Sequence, residues 1–101
     1  MNQIERIQYM EEILDQVTKL LHNFETLLDE YEQMLPKLME LVQYYESDEW
    51  KKDFIADENG ILPNDLKRGV LSEDGIYNLL DLHNELVNKM KMIIKTRESN
   101  E

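Results

Sequence analysis

A heptad repeat of apolar residues runs without a change of phase from Ile7 to Tyr45, and it constrains the fold more than any other feature. Heptad positions a and d hold apolar or aromatic side chains in all six repeats. The a residues are Ile7, Leu14, Leu21, Leu28, Leu35 and Val42, and the d residues are Met10, Val17, Phe24, Tyr31, Leu38 and Tyr45. This period predicts a long amphipathic α-helix in the first half of the chain.

Position g of the same heptads is apolar as well, which widens the face of this helix. The g residues are Ile13, Leu20, Leu27, Met34 and Leu41. We call positions a, d and g together the apolar stripe. A three-residue stripe is typical of a helix in a bundle, covered on two sides, rather than of a two-stranded zipper. The sequence therefore predicts an all-α protein, a small helical bundle.

Pro36 lies inside this repeat, at the solvent-facing position b. Proline lacks a backbone N–H and its ring clashes with the preceding turn, so we expect the long first helix to be kinked or broken near Pro36. If the chain folds back there, residues 37–46 form a separate short helix and a monomeric bundle closes. If the helix stays straight, the part of the stripe that the chain itself leaves uncovered could pack against a second copy in a homodimer. The monomer is the preferred alternative over the homodimer.

A C-terminal helix is predicted from about residue 73 to 96, antiparallel to the first. Ser72 is a good N-cap, and Glu73 and Asp74 lie in the first turn, where the helix dipole favours acids. Apolar residues at helical spacing form its packing face: Ile76, Leu80, Val87, Met90 and Ile94. At about 25 residues, or roughly 38 Å, this helix is shorter than the first at roughly 65 Å.

The connection at residues 47–71 is predicted to be ordered. Ser47 can cap a short helix around residues 48–55, in which Trp50 and Phe54 lie one turn apart on one face. An acidic turn at 57–60 and a helical turn at 64–68, ended by Gly69, should follow. Long ordered connections tend to carry function, so we expect this one to do so.

Composition limits the class of protein. A chain of 101 residues has room for a single domain, 1–101, of which residues 98–101 should fray. The net charge of −11 disfavours binding to nucleic acid or to a membrane, whereas a basic protein partner is compatible with it. The chain has no cysteine and no apolar run of the kind that a signal peptide or a membrane span requires. We therefore expect a soluble, cytoplasmic protein.

The connection also carries a long motif that resembles a known family. It reads SDEW at 47–50, ADENG at 56–60 and LPNDLKRGVLSED at 62–74, followed by Tyr77 and by Leu79 and Leu80. Over residues 4–92 the chain resembles the small uncharacterised bacterial proteins grouped as domain of unknown function 4298. The resemblance implies a small bacterial helical protein, and it brings no activity, cofactor or catalytic residue with it.

Catalytic and metal-binding templates do not fit the sequence. A calcium loop with Gly60 as its sixth residue would begin at Ile55 and end at Leu66, where acids are needed. The residues three before His22 and His83 are Lys19 and Leu80, so neither histidine has the glutamate of a di-iron bundle. Zincin and nucleotide-binding motifs are also missing. A loose carboxylate site at Asp53, Asp57 and Glu58 is one metal-binding alternative, and we predict no catalytic residue, no metal and no cofactor.

The best candidate site is the corner formed by Lys67, Arg68 and Gly69 just before the Ser72 cap. Two cations beside a helix N-terminus could hold a phosphate or a carboxylate, and glycine allows close backbone approach. The alternative is that both cations pair with nearby acids and fasten the connection. With Trp50, these residues define a hypothetical recognition surface for an unknown protein partner, in a binding or adaptor module that uses residues 47–75.

Two other functions stay open. A pocket near His83 and the tyrosines, Tyr31, Tyr44, Tyr45 and Tyr77, could bind a small molecule or a metal, or could support a minor enzymatic activity. Alternatively, the acidic first half, with ten acids against three bases in residues 1–46, could mimic a polyanion and occupy a basic protein.

Overall fold

The protein is all-α, as the sequence predicts. A computed structural model describes residues 1–99. These residues contain three α-helices, α1 (Gln3–Tyr45), α2 (Asp48–Glu58) and α3 (Glu73–Ser99), together with a short 3₁₀-helix, Gly69–Leu71. No β-strand occurs in this part of the chain. The predicted long first helix, short second helix and C-terminal helix are therefore confirmed.

α1 continues through Pro36 as one helix of 43 residues. The predicted alternative in which the chain folds back at Pro36 is wrong, because residues 37–45 belong to α1 and do not form a separate helix. A proline removes one N–H donor and strains one turn, and a strongly periodic helix on both sides tolerates that local loss. The preference for a monomer depended on the fold-back, so it loses its structural basis.

The chain divides into two compact units, Met1–Val42 and Gln43–Glu101. The first unit consists of α1 up to Val42, and the second contains the end of α1, α2, the 3₁₀-helix and α3. A single domain and an antiparallel pairing of the first and last helices stay predictions. All the candidate site residues of the connection lie in the second unit.

α2 begins at the predicted cap and ends later than predicted. The Ser47 hydroxyl accepts a hydrogen bond from the backbone N–H of Trp50 at 3.2 Å, which satisfies one unpaired donor of the first turn. α2 then extends to Glu58, three residues past the expected end. Its C-terminus is a Schellman motif, in which Gly60 has φ +69° and the Ile61 N–H donates to the Ala56 carbonyl at 3.1 Å.

α3 begins after the Ser72 cap, as predicted. The Ser72 hydroxyl accepts from the Gly75 N–H at 3.3 Å. The segment before it differs from the prediction, because Gly69 begins a 3₁₀-helix instead of ending a helical turn at 64–68. α3 continues to Ser99 and so includes part of the tail that was expected to fray, whereas residues 100 and 101 lie outside the described part.

Three side chains form the buried core of the second unit. Trp50 of α2 is 8% exposed, Leu71 of the 3₁₀-helix 6% and Ile76 of α3 3%. Each comes from a different element, and the 3₁₀-helix contacts both α2 and α3. The two helices are therefore joined through the short 3₁₀-helix at the end of the connection, which explains why a loop of this length is ordered.

Candidate functional site

Trp50 anchors the connection to α2. Its indole N–H donates a hydrogen bond to the Val70 carbonyl at 2.8 Å, across twenty residues of sequence. The ring stacks on Phe54 at a centroid distance of 5.2 Å and meets the edge of Tyr45 at 5.1 Å. A buried tryptophan with a bonded N–H contributes through both its area and its polar group. Trp50 thus fastens the connection to α2, and its side chain is buried and not on the surface.

Arg68 forms the second link within the connection. Its guanidinium lies 2.7 Å from the Asp57 carboxylate at the end of α2, and both side chains are about one-third exposed, at 33% and 30%. Charge-assisted hydrogen bonds of this length are stronger than neutral ones, and partial burial reduces their screening by water. The alternative in which a cation of the corner fastens the connection therefore describes Arg68, with Asp57 as its partner.

Tyr44 and Asp53 form a third link, between the end of α1 and α2. The Tyr44 hydroxyl donates to the Asp53 carboxylate at 2.6 Å. This hydrogen bond, together with desolvation and the negative charge of Asp53, raises the pKa of Tyr44 to about 12. Removing the proton would break the bond and place two negative charges side by side, which is the physical cause of the shift.

The hydrogen bond between Tyr44 and Asp53 should make the stability of the folded protein depend on pH in the alkaline range. Because the folded-state pKa of Tyr44 lies above its ordinary value of 10.0, the bond contributes fully below pH 10 and its contribution is lost as the pH rises to about 12. In the Tyr44→Phe variant we expect the tyrosinate absorbance step near pH 12 to disappear. A spectrophotometric titration of the folded protein measures this step directly.

Tyr77→Phe is the matched control for this titration. Tyr77 is 65% exposed, and removing its hydroxyl leaves the bond between Tyr44 and Asp53 in place. The step near pH 12 should therefore persist in Tyr77→Phe, and it should be lost in Asp53→Asn, where no carboxylate charge remains. An unchanged step in Tyr44→Phe would contradict the assignment.

A surface pocket of about 330 Å³ opens between these links. Its lining combines apolar and charged side chains from the end of α1, from α2 and from the connection. The lining residues are Tyr44, Asp53, Leu62, Leu66, Lys67, Arg68, Val70 and Leu71. Leu66 and Val70 are also exposed, at 48% and 44%, so the pocket is continuous with an apolar surface.

Lys67 differs from the other charged residues of this wall. Arg68 is paired with Asp57, and Asp53 accepts the bond from Tyr44. Within residues 1–99, Lys67 forms no ion pair, and its side chain is exposed at the pocket. Of the two cations in this wall, Lys67 is therefore the one that can bind an external anion without sharing it with an internal ion pair.

The structure brings together only part of the predicted site. Lys67 and Arg68 line one pocket, whereas Gly69 starts the 3₁₀-helix and Ser72 caps α3. The contributions of Asp53, Leu62, Leu66 and Val70 were missed. The motif places Leu62, Leu66 and Val70 close to the two cations in sequence, which is a usable signal, but nothing in the nine-residue spacing indicates that Tyr44 bonds to Asp53.

The other predicted chemistry does not converge on this pocket. Tyr44 lines it, but His83 is not among its lining residues. In the described part of the chain, no group of three or more histidines and carboxylates is arranged to hold a metal ion, and so Asp53, Asp57 and Glu58 do not form such a site. No helix among residues 1–99 combines the length and apolarity that a membrane span requires.

Comparison with known proteins gives one match. The family model described as a domain of unknown function, DUF4298, matches residues 7–93, which is most of the chain. It therefore includes α2, the connection and the pocket. No curated protein matches the chain, and no solved structure does either.

Proposed function

The chain belongs to the DUF4298 family, a domain of unknown function, and from this premise we propose that it is a protein-binding module whose recognition surface is the pocket beside Lys67. One observation carries the proposal: two internal bonds fasten the connection to α2, while Lys67 at the pocket stays without an ion pair among residues 1–99. We place this activity in a bacterial cytoplasm, with no role in nucleic acid binding.

Rigidity of the connection supports recognition of a partner. The bonds from Trp50 to Val70 and from Arg68 to Asp57 order the loop before any partner arrives. Binding to an ordered loop avoids the entropy cost of ordering it in the complex. A preformed pocket lined by apolar side chains and an available cation is the kind of site that holds a partner's anchor side chain.

The chemistry of the pocket indicates what the partner presents. Leu62, Leu66 and Val70 favour an apolar side chain, and Lys67 favours a carboxylate or another hydrogen-bond acceptor beside it. The acids in the rest of the chain would repel a partner that is acidic over its whole surface. We therefore infer a segment with one apolar anchor and one acceptor, on a partner whose surrounding surface is neutral or basic.

Reversing the charge of Lys67 should weaken this binding. In Lys67→Glu the introduced carboxylate would join that of Asp53 in the wall of the pocket. We expect the partner's affinity to fall about 10- to 100-fold, because a favourable contact becomes a repulsive one. The measurement is quantitative affinity capture from cell extract, followed by titration of each captured protein against the purified variants.

Lys52→Glu is the matched control for this experiment. Lys52 is exposed on α2 and does not line the pocket, so the substitution makes the same change in net charge away from the site. A partner that binds wild type and Lys52→Glu equally but loses Lys67→Glu supports the proposal. Identical partners and affinities for all three proteins would contradict it.

Small-molecule binding is a second candidate, because a volume of about 330 Å³ lies at the small end of ligand pockets. The pairing of Tyr44 with Asp53 on its wall would supply the polar group that orients such a ligand. Thermal shifts across a panel of metabolites and divalent metals separate the two candidates. Mimicry of a polyanion by the acidic α1 stays a third hypothesis, and steeply salt-dependent binding to a basic protein that is insensitive to Lys67→Glu would favour it.

A further inference from the structure

The apolar stripe of α1 is exposed over its first four heptads. Nine large side chains of the stripe between Ile7 and Leu28 have exposed fractions from 45% at Leu28 to 65% at Leu20. They are Ile7, Met10, Leu14, Val17, Leu20, Leu21, Phe24, Leu27 and Leu28. Isolated exposed leucines are normal on protein surfaces, but a continuous apolar row of this length marks an interaction surface.

α3 is too short to cover α1 along its whole length. α1 has 43 residues and α3 has 27, so even a pairing along the whole of α3 would leave 16 residues of α1, the difference between these lengths, without a partner. That surplus corresponds to roughly 24 Å of helix. In addition, a stripe that includes position g needs covering on two sides, so a pairing with α3 would still leave one side for a second partner.

We propose that a second copy of this chain covers the stripe, so that the protein is a homodimer joined through the α1 helices. The positions of the charges support this occupant. No charged residue occurs at positions a, d or g from Ile7 to Tyr45. Two α1 helices can therefore pack stripe to stripe without burying an unpaired charge, although each carries an excess of acids on its other faces.

The available area matches a stable dimer. A fully buried aliphatic or aromatic side chain removes roughly 60–120 Å² of apolar surface from water. Complete burial of the nine exposed residues would therefore contribute at most about 800 Å² from each copy, or about 1,600 Å² in total. Specific protein interfaces typically bury about this total area, with an apolar centre and a polar rim.

The mass of the purified chain in solution tests the proposal. We expect light scattering behind a sizing column to give twice the 12.2 kDa chain mass at micromolar concentration. A mass of one chain at that concentration would overturn the proposal, whether the stripe is covered by α3 or by another protein. The measurement requires the full chain and no ligand.

Variants of Leu14 test whether the stripe forms the interface. Leu14→Asp places a charge in the stripe of both copies, so the dimer Kd should rise at least about 100-fold. Gln16→Asp adds the same charge two residues away, off the stripe, and should change the Kd less than about threefold. An equal loss of dimer in both variants, or in neither, would overturn the assignment of this face.

A third variant, Leu14→Ala, separates loss of the interface from loss of helix. Leu14→Ala increases helix propensity and removes only the apolar contact, so a rise in Kd of at least about tenfold is expected with unchanged helicity by circular dichroism. An unchanged Kd in Leu14→Ala would overturn the proposal even if Leu14→Asp failed to fold. Trp50 lies in the other compact unit, and its fluorescence reports whether that unit stays folded.

The dependence on ionic strength distinguishes dimer formation from binding at the pocket. Each copy carries a net charge of −11, so screening should strengthen the dimer as the ionic strength rises, whereas binding of an acceptor to Lys67 should weaken. Lys67→Glu should leave the dimer mass unchanged. A dimer that weakens with salt would overturn packing through an uncharged stripe.

Discussion

Replacing Trp50 with alanine is expected to lower the free energy of unfolding of the second unit by about 3–5 kcal/mol. The substitution removes a side chain that is only 8% exposed and leaves a cavity among Tyr45, Phe54 and the 3₁₀-helix. It also removes the bond to the Val70 carbonyl. Urea denaturation followed by far-ultraviolet circular dichroism measures the loss.

Trp50→Phe distinguishes packing from hydrogen bonding at this position. Phenylalanine keeps much of the apolar contact with Phe54 and loses the indole N–H, and the Val70 carbonyl can bond to water because Val70 is 44% exposed. We therefore expect a loss of only about 1–2 kcal/mol. Equal losses in the alanine and phenylalanine variants would show that the hydrogen bond, and not the packing, dominates.

Replacing Ile76 with alanine should lower the free energy of unfolding by about 2–4 kcal/mol. Ile76 is 3% exposed, the lowest value in the core of the second unit, and it lies in the first turn of α3. Alanine has the higher helix propensity, so any destabilisation arises from lost packing. Because Trp50 is the only tryptophan, its fluorescence during urea denaturation follows this unit specifically.

Ile76→Val and Leu79→Ala provide the comparison. The valine variant loses one methylene and should cost about 0.5–1.5 kcal/mol. Leu79 is on the same helix but 42% exposed, and its replacement should cost less than about 1 kcal/mol. A Leu79→Ala variant as unstable as Ile76→Ala would contradict the assignment of the core.

Local sequence signals predicted the elements of the fold well. The heptad repeat indicated α1, and the caps at Ser47 and Ser72 marked the starts of α2 and α3, where their hydroxyls accept the expected N–H groups. These features depend on side chains within four residues of one another, so a single sequence contains them. At Pro36 only the fold-back is contradicted, because the periodic helix on both sides outweighs the local penalty of one proline.

The candidate site was only partly predictable. Lys67 and Arg68 stood out as cations in an acidic segment, but their sequence did not show that Arg68 is paired with Asp57 while Lys67 stays available. Trp50 was expected on the recognition surface, but it is buried and does not line the pocket. The predicted and observed roles of these residues differ because of contacts between residues eleven to twenty positions apart. No local sequence pattern encodes such contacts.

By itself, the sequence determined the helical class, the starts of the helices and the uncharged stripe of α1, because helix period and capping are properties of neighbouring residues. Only the tertiary structure decided which side chains of the connection became core, which became internal links and which stayed available at the pocket. The physical reason is that burial and pairing depend on contacts between segments that are distant in the sequence. The return of Val70 to Trp50 and of Arg68 to Asp57 leaves Lys67 as the cation of this corner without an ion pair among residues 1–99.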